Sequence, residues 1–219
     1  MTHLVFDFDG TIVSCETIDV LAGIALHNHA HADAIQAQIA GITALGMEGK
    51  LPFRESLEQR LALVSLTKTH VAEVIKAVKP KISPSFVALA STWHERQDHV
   101  HVISNGFQEV IEAVLAPLGI LPEQIHASRF EYDDQNNVIG VEESMLLEPA
   151  GKGKMLASLD LGSDVIVVGD GYTDWQMKEA GGAQTYVAYT EHVRREPSIE
   201  KADQVCSDFD CVLAVAATH

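Results

Sequence analysis

Basic residues are scarce in this chain: 15 Lys and Arg stand against 31 Asp and Glu in 219 residues, a formal net charge of −16 with histidine neutral. Surfaces that hold nucleic acid or anionic membrane rely on excess Lys and Arg, so the shortage argues against either as the main partner and leaves only local basic sites. Cysteine is sparse too. Cys15, Cys206 and Cys211 form no zinc-ligand pattern, and an odd, sparse set fits a reducing compartment. No apolar run reaches the roughly 20 residues that a bilayer span takes. The opening MTHLVFDFDGTIV lacks a basic segment and soon meets Asp7 and Asp9, unlike a signal peptide. A cytoplasmic protein without a membrane partner is therefore expected. The chain also lacks internal repeats and low-complexity tracts. At 47% hydrophobic and 21% charged, its composition is that of a globular protein. Its length is enough to bury a core without disulfides or a structural metal.

What the chain does have is a series of short apolar runs, each ending in a polar turn and followed by a helical stretch. Leu4–Phe6 runs into Asp7-Phe8-Asp9-Gly10, Val100–Ile103 into Ser104-Asn105-Gly106, and Val165–Val168 into Gly169-Asp170-Gly171. Thr185–Tyr189 is a fourth run and Gln204–Cys206 a weaker fifth. Near-continuous apolar strands separated by helices predict an α/β fold with a doubly wound, Rossmann-like parallel sheet. Val110, Ile111, Val114 and Leu115 form a one-sided helical stripe. Ser83-Pro84 reads as a helix start, with Phe86, Leu89, Ala90 and Trp93 on the buried face. Residues 14–80 break the alternation and read as successive helices, an inserted cap over a core made of 1–13 and 81–219. Residues 125–141 read as a small β-hairpin insertion around a polar turn.

Open parallel sheets bind ligands beyond the carboxyl ends of their strands. The polar residues that follow the apolar runs should then share one crevice: Asp7 and Asp9, Ser104 and Asn105, Asp170 and Asp174. Four carboxylates gathered at one point call for a cation, and all-oxygen ligands favour Mg²⁺, which keeps waters and takes a phosphate oxygen. Asp7 and Asp9, two residues apart where the chain turns, could divide nucleophilic and acid roles. The Ser104 hydroxyl and the N–H groups after it can hold phosphate oxygens, and Lys152 can supply positive charge.

DFDGTIV resembles the first motif of the haloacid dehalogenase superfamily, VISNG the second, Lys152 in GKGKML the third and VGDGYTD the fourth. The motifs occur in order across residues 5–174. The resemblance implies that Asp7 is the nucleophile and forms an aspartyl-phosphate. It implies that Asp9 is the general acid/base and also binds Mg²⁺ through its carbonyl. Ser104 and Lys152 would hold the phosphoryl group, Asp170 would ligate Mg²⁺ directly, and Asp174 would act nearby or through water. A second aspartate at position 9 suits phosphate chemistry over halide release, which needs no acid for a leaving oxygen.

The insertion is similar to that of the phosphoserine phosphatase branch of this superfamily. CETID follows the first motif at that branch's spacing, MEGKLPFRESLEQRLALV resembles its next signature, and GKGK occurs around the lysine of some members. The resemblance implies that Glu16 meets a substrate ammonium, that Arg60 meets a substrate carboxylate, and that Met47 and Phe53 close over the substrate. The spacing agrees independently: seven residues bring Phe53 and Arg60 to within about 20° on a helix, with Leu57 and Val64 continuing the face. A guanidinium on an apolar face needs a partner, and arginine holds a carboxylate with two parallel bonds. The chain departs from the branch at Asn105, where Ser-Gly-Gly is usual and here Ser104-Asn105-Gly106 stands. Thr173 occupies a position that is Asn or Thr in relatives.

Ordinary roles compete for several of these residues. Glu16 could be a helix-start acid, Arg60 a salt-bridged residue, and Met47 and Phe53 core packing. His27, His29 and His31 lack the companions of a zinc site and read as surface residues. Gly151–Lys154 lacks the P-loop pattern. The expected function is a Mg²⁺-dependent phosphomonoester hydrolase for O-phosphoserine, a monomer or homodimer with a small-molecule partner. Two alternatives stay open: a phosphatase or phosphotransferase for another small phosphorylated metabolite, and a non-catalytic phospho-acceptor domain.

Overall fold

The computed structural model describes residues 1–219, apart from the side chain of Met47. Strand β1 (His3–Phe6) is followed by four helices in succession: α1 (Thr17–Ala25), α2 (Ala32–Met47), α3 (Phe53–Leu61) and α4 (Lys68–Val78). Two short helices, α5 (Pro84–Ala88) and α6 (Ala90–Glu95), lead into β2 (Val100–Phe107) and α7 (Gln108–Leu115). Then come β3 (Ile125–Ser128), β4 (Phe130–Tyr132), β5 (Val138–Val141) and α8 (Gly151–Ser158). The chain ends with β6 (Val165–Gly169), α9 (Tyr172–Glu179), β7 (Thr185–Tyr189), α10 (Glu196–Ile199), β8 (Gln204–Cys206) and α11 (Phe209–Ala216).

Six strands form one parallel sheet in the order β3-β2-β1-β6-β7-β8. From β1 the chain winds first to one side and later to the other. The crevice at that reversal, beyond the carboxyl ends of β1, β2 and β6, is where a doubly wound sheet takes its ligand. Alternate residues fill the two faces. Leu4, Phe6, Val102, Ile166 and Val168 pack on one side with Phe86, Trp93 and Phe209. Val5, Ile103, Val165 and Val167 pack on the other with Leu156 and Met177. On the first side, Phe6, Phe86, Trp93 and Phe209 meet mostly edge-to-face, with Phe86 and Trp93 stacked 4.9 Å apart.

The connections into and out of the α1–α4 insertion run side by side. Ser14 N donates to Lys81 O (3.0 Å), Ser83 N donates to Ile12 O (2.8 Å), and Val13 bridges Ile82. The insertion also touches the hairpin. Val138 N donates to Leu66 O, Lys68 N donates to Asn136 O, and Arg54 makes a two-pronged ion pair with Glu143 at 2.6 and 2.7 Å.

Several expectations change in detail. The hairpin is shorter than residues 125–141: β4 and β5 form it, whereas Ile125–Ser128 joins the main sheet beside β2. Ile125 is apolar and buried, which suits an edge place in the main sheet. The Ser83 hydroxyl makes no cap bond to α5; it bonds the carboxylate of Glu191 instead. The helix that follows divides in two at Leu89. Helix α3 stops at Leu61, so Val64 does not continue the Phe53–Arg60 face. Cys206 and Cys211 are joined in a disulfide and only Cys15 is free, so the cysteines are not a uniform set of thiols. No helix is long and apolar enough to cross a membrane among the described residues.

Candidate active site

The site begins where β1 ends. Asp7 N donates to Val168 O (2.9 Å), continuing the sheet by one residue, and then the chain turns back as Val13 N donates to Phe8 O (3.0 Å). Gly10 makes that turn at φ +71°, and any Cβ there would lie 2.7 Å from the Asp170 carboxylate. The turn sends the two aspartates apart. Asp7 is buried against Lys152, with Nζ 2.9 Å from Oδ1. Asp9 instead accepts a hydrogen bond from the Thr17 hydroxyl at the start of α1.

Ser104 is fully buried near the end of β2. The pairing of β2 with β3 jumps from Ile103 to Phe107 and skips Ser104, Asn105 and Gly106. Gly106 N donates to the Ser104 hydroxyl at 3.1 Å. Lys152 sits in the first turn of α8 between two glycines whose absence of side chains lets the helix pack closely. A Cβ on Gly151 would fall 2.5 Å from the carbonyls of Met145 and Leu146, and one on Gly153 would fall 2.9 Å from Ala180. The GKGK run is therefore a packing device that buries one lysine.

Lys152 Nζ reaches Asp174 Oδ1 at 2.7 Å as well as Asp7, and Asp174 Oδ2 accepts from Gly171 N at 3.0 Å. Among the described residues, Asp7, Asp170 and Asp174 are the one group of three or more potential ligands whose oxygens lie within 4.8 Å of one another. Asp170 Oδ1 is buried without a hydrogen-bond partner. An all-carboxylate cluster with an unspent buried oxygen fits a hard divalent cation. The Asp9 side chain stands outside this cluster.

Burial sets the electrostatics. It pushes the Asp9 carboxyl up to about 7, the Thr17 bond opposing and the charge of Asp7 adding to the rise. Burial, with Asp7 and Asp170 nearby, also lifts Asp174 to about 7. Burial alone would lower Lys152; the carboxylates of Asp174 and Asp7 outweigh it and hold the ammonium charged. Glu16 is raised well above its usual range, by burial first and then by Asp9 and Asp170.

The α1–α4 insertion forms the opposite wall of a cavity of about 320 Å³. Glu16 immediately precedes α1 and makes no cap bond. Phe53, Leu57 and Arg60 line the cavity from α3. Arg60 is 7% exposed, donates from Nε to Ser56 O (3.0 Å) and from Nη1 to the Thr43 hydroxyl (3.3 Å). Both contacts are neutral, and burial lowers its pKa against the pull of Asp19 and Glu16. A buried guanidinium held only by neutral groups is a site for an anion.

Asp7, Asp9, Glu16, Phe53, Arg60, Ser104, Asn105, Gly106, Lys152 and Thr173 thus meet in one cavity, with Asp170 and Asp174 buried beside Asp7. Met47 lies outside the described side chains. His27, His29 and His31 lie exposed between α1 and α2, where Asn28 turns at φ 66°. Three contributors escaped the sequence reading. Thr17 holds Asp9 and Thr43 holds Arg60. Arg195, from the loop after β7, donates Nε to Asp170 Oδ2 (2.8 Å) and stands 3.6 Å from Glu16. The rule of polar residues beyond strand ends reaches that loop, but Arg195 is six residues past Tyr189, too far to be singled out.

This geometry has counterparts. The model of the haloacid dehalogenase-like hydrolases matches residues 4–179. The chain belongs to that family of hydrolases. Human phosphoserine phosphatase is 29% identical over 93% of this chain and 88% of its own length. The phosphoserine phosphatase of Methanocaldococcus jannaschii is 34% identical over 81% and 82%. Among solved structures, a phosphoserine phosphohydrolase-like protein from Francisella tularensis superposes with a TM-score of 0.86 at 28% identity, covering 98% of this chain and 99% of that one.

Proposed function

We propose that this chain is a Mg²⁺-dependent phosphomonoesterase that converts O-phosphoserine to serine and phosphate. One observation carries the reading: Glu16 and the buried Arg60 line the same cavity as Asp7, Ser104 and Lys152. A substrate with an ammonium, a carboxylate and a phosphate matches that set of charges. Similarity to phosphoserine phosphatases, at 29–34% identity over 81–93% of the chain, supports the same substrate.

Asp7 attacks phosphorus as the bond to the serine oxygen breaks, and Asp9 gives that oxygen its proton. Asp9 then takes a proton from water, which attacks the aspartyl-phosphate and releases phosphate, restoring Asp7. Lys152, Ser104 and the N–H groups of Asn105 and Gly106 hold the phosphoryl oxygens. Asp7, Asp170, Asp174 and the carbonyl of Asp9 would hold Mg²⁺, which supplies charge neutralisation for the phosphoryl group. Arg195 steadies Asp170 and Glu16 from the side.

Residues 14–80 act as a cap on the core of 1–13 and 81–219; the paired connections at Ser14–Lys81 and Ile12–Ser83 support a neck there. Arg60, Glu16, Phe53 and Met47 belong to that cap, with Thr173 at the cavity edge. Closure keeps water from the first step and admits one for the second. One chain supplies every residue the reading needs, a small molecule is its partner, and we place it in the cytoplasm.

Asn105 favours a second reading, a different small phosphomonoester, because it brings a side chain to the cavity wall between Ser104 and Gly106. A panel of phosphomonoesters assayed with Mg²⁺ decides between them. The first reading expects the highest kcat/KM for O-phosphoserine. A larger value for a phosphate ester lacking the amino-acid end would overturn it.

A further inference from the structure

The end of the sheet opposite the cavity carries a row of histidines that the catalytic reading leaves unused. His3 opens β1, His99 precedes β2, His101 is the second residue of β2, and His126 the second of β3. Register brings them together. Leu4 pairs with Val100, so His3 and His99 stand one step earlier on neighbouring segments, and Val5 pairs with His101. All four are partly buried.

His3 Nε2 and His99 Nδ1 are 3.4 Å apart. Two nitrogens on one tetrahedral zinc, each about 2.0–2.1 Å from the metal, are separated by about 3.3 Å. The His101 ring lies 5.5 Å from that of His3 between centroids, and both of its nitrogens are buried without a partner. His3 Nδ1 is likewise unspent, as is Oδ1 of Asp164, whose charge acts on the His3 ring. A histidine that ligates a metal commonly gives its other N–H to a carboxylate. Arg96, whose charge also acts on the His3 ring, donates Nη2 to Thr2 O at 2.9 Å.

We propose that His3 and His99 form a second metal site, for a divalent transition metal that prefers imidazole, with His101 as third ligand after a side-chain rotation and water completing the sphere. The ion would pin β1 to β2 at the end of the sheet away from the reaction. It differs in kind from the carboxylate cluster, because nitrogen ligands select zinc-like ions over Mg²⁺.

The test is calorimetric titration of Zn²⁺ into the full chain in saturating Mg²⁺, alongside NMR of the ¹⁵N-labelled histidine rings. One zinc should bind with shifts at His3 Nε2 and His99 Nδ1. The variants His3→Gln and His99→Gln should each weaken that binding about 10-fold or more, while His29→Gln in the exposed loop leaves it unchanged. His99, in the turn before β2, provides a variant should His3→Gln misfold. Zinc affinity equal in wild type and His99→Gln, or ring shifts confined to other histidines, would overturn the proposal.

Discussion

Arg60 shows most clearly how a single residue can carry specificity. It is buried among neutral partners, so its charge is left for a ligand. Removing one member of a buried, hydrogen-bonded charge pair costs roughly 2–5 kcal/mol. Arg60→Ala should therefore lower kcat/KM for O-phosphoserine by about thirty-fold or more, while leaving p-nitrophenyl phosphate little affected. Equal losses on both substrates would assign Arg60 to the architecture of the cavity. The position of Arg60 on an apolar helix face is readable in the sequence, as are the aspartates, because strand ends in a parallel sheet converge by geometry. Thr17, Thr43 and Arg195 are not readable in that way. Their roles depend on how separate segments meet: Thr43 on α2 reaches Arg60 on α3, and Arg195 reaches back to Asp170 across the sheet.

At the scale of elements, two glycines mark opposite situations. Gly41 lies exposed within α2, and a Cβ there would meet nothing within 4 Å. Gly41→Ala should stabilise the fold by about 0.5–1 kcal/mol, seen as a higher Tm. Gly151 in α8 has two carbonyls at 2.5 Å from the place a Cβ would take. Gly151→Ala should cost about 1–3 kcal/mol by overpacking and slow turnover, because the shift of α8 moves Lys152. A Gly151→Ala chain with unchanged melting and unchanged kcat would contradict the close-packing account. The strands with continuous apolar runs were predictable from sequence. Residues 125–128 read as part of the hairpin, and their place in the main sheet was not predictable, since Ile125–Ser128 is short, carries His126 and Ser128, and owes its place to pairing with β2.

For the whole molecule, the net charge of −16 describes the surface and says little about the cavity. There, Lys152 and the neighbouring Arg195 stand among carboxylates that would be balanced further by a divalent cation, and Arg60 keeps its charge for a ligand. Stability rests on the sheet and the aromatic group beneath it. Trp93 is fully buried, stacks on Phe86 and donates Nε1 to Phe86 O at 2.8 Å. Trp93→Ala should cost about 3–5 kcal/mol in denaturant unfolding. A loss below about 1 kcal/mol would show that the α5–α6 side of the core refills the space.

The proposed reaction depends on a covalent bond to one atom of this molecule, an oxygen of Asp7. Acid-quenched turnover of O-phosphoserine in Mg²⁺, read by mass spectrometry of the peptide containing Asp7, looks for that bond directly. The account predicts a peptide heavier by one phosphoryl group that forms and decays in step with phosphate release, and that is absent, together with turnover, in Asp7→Asn. Phosphate released at the full rate with no adduct on Asp7, or an Asp7→Asn chain with near-normal kcat, would contradict it.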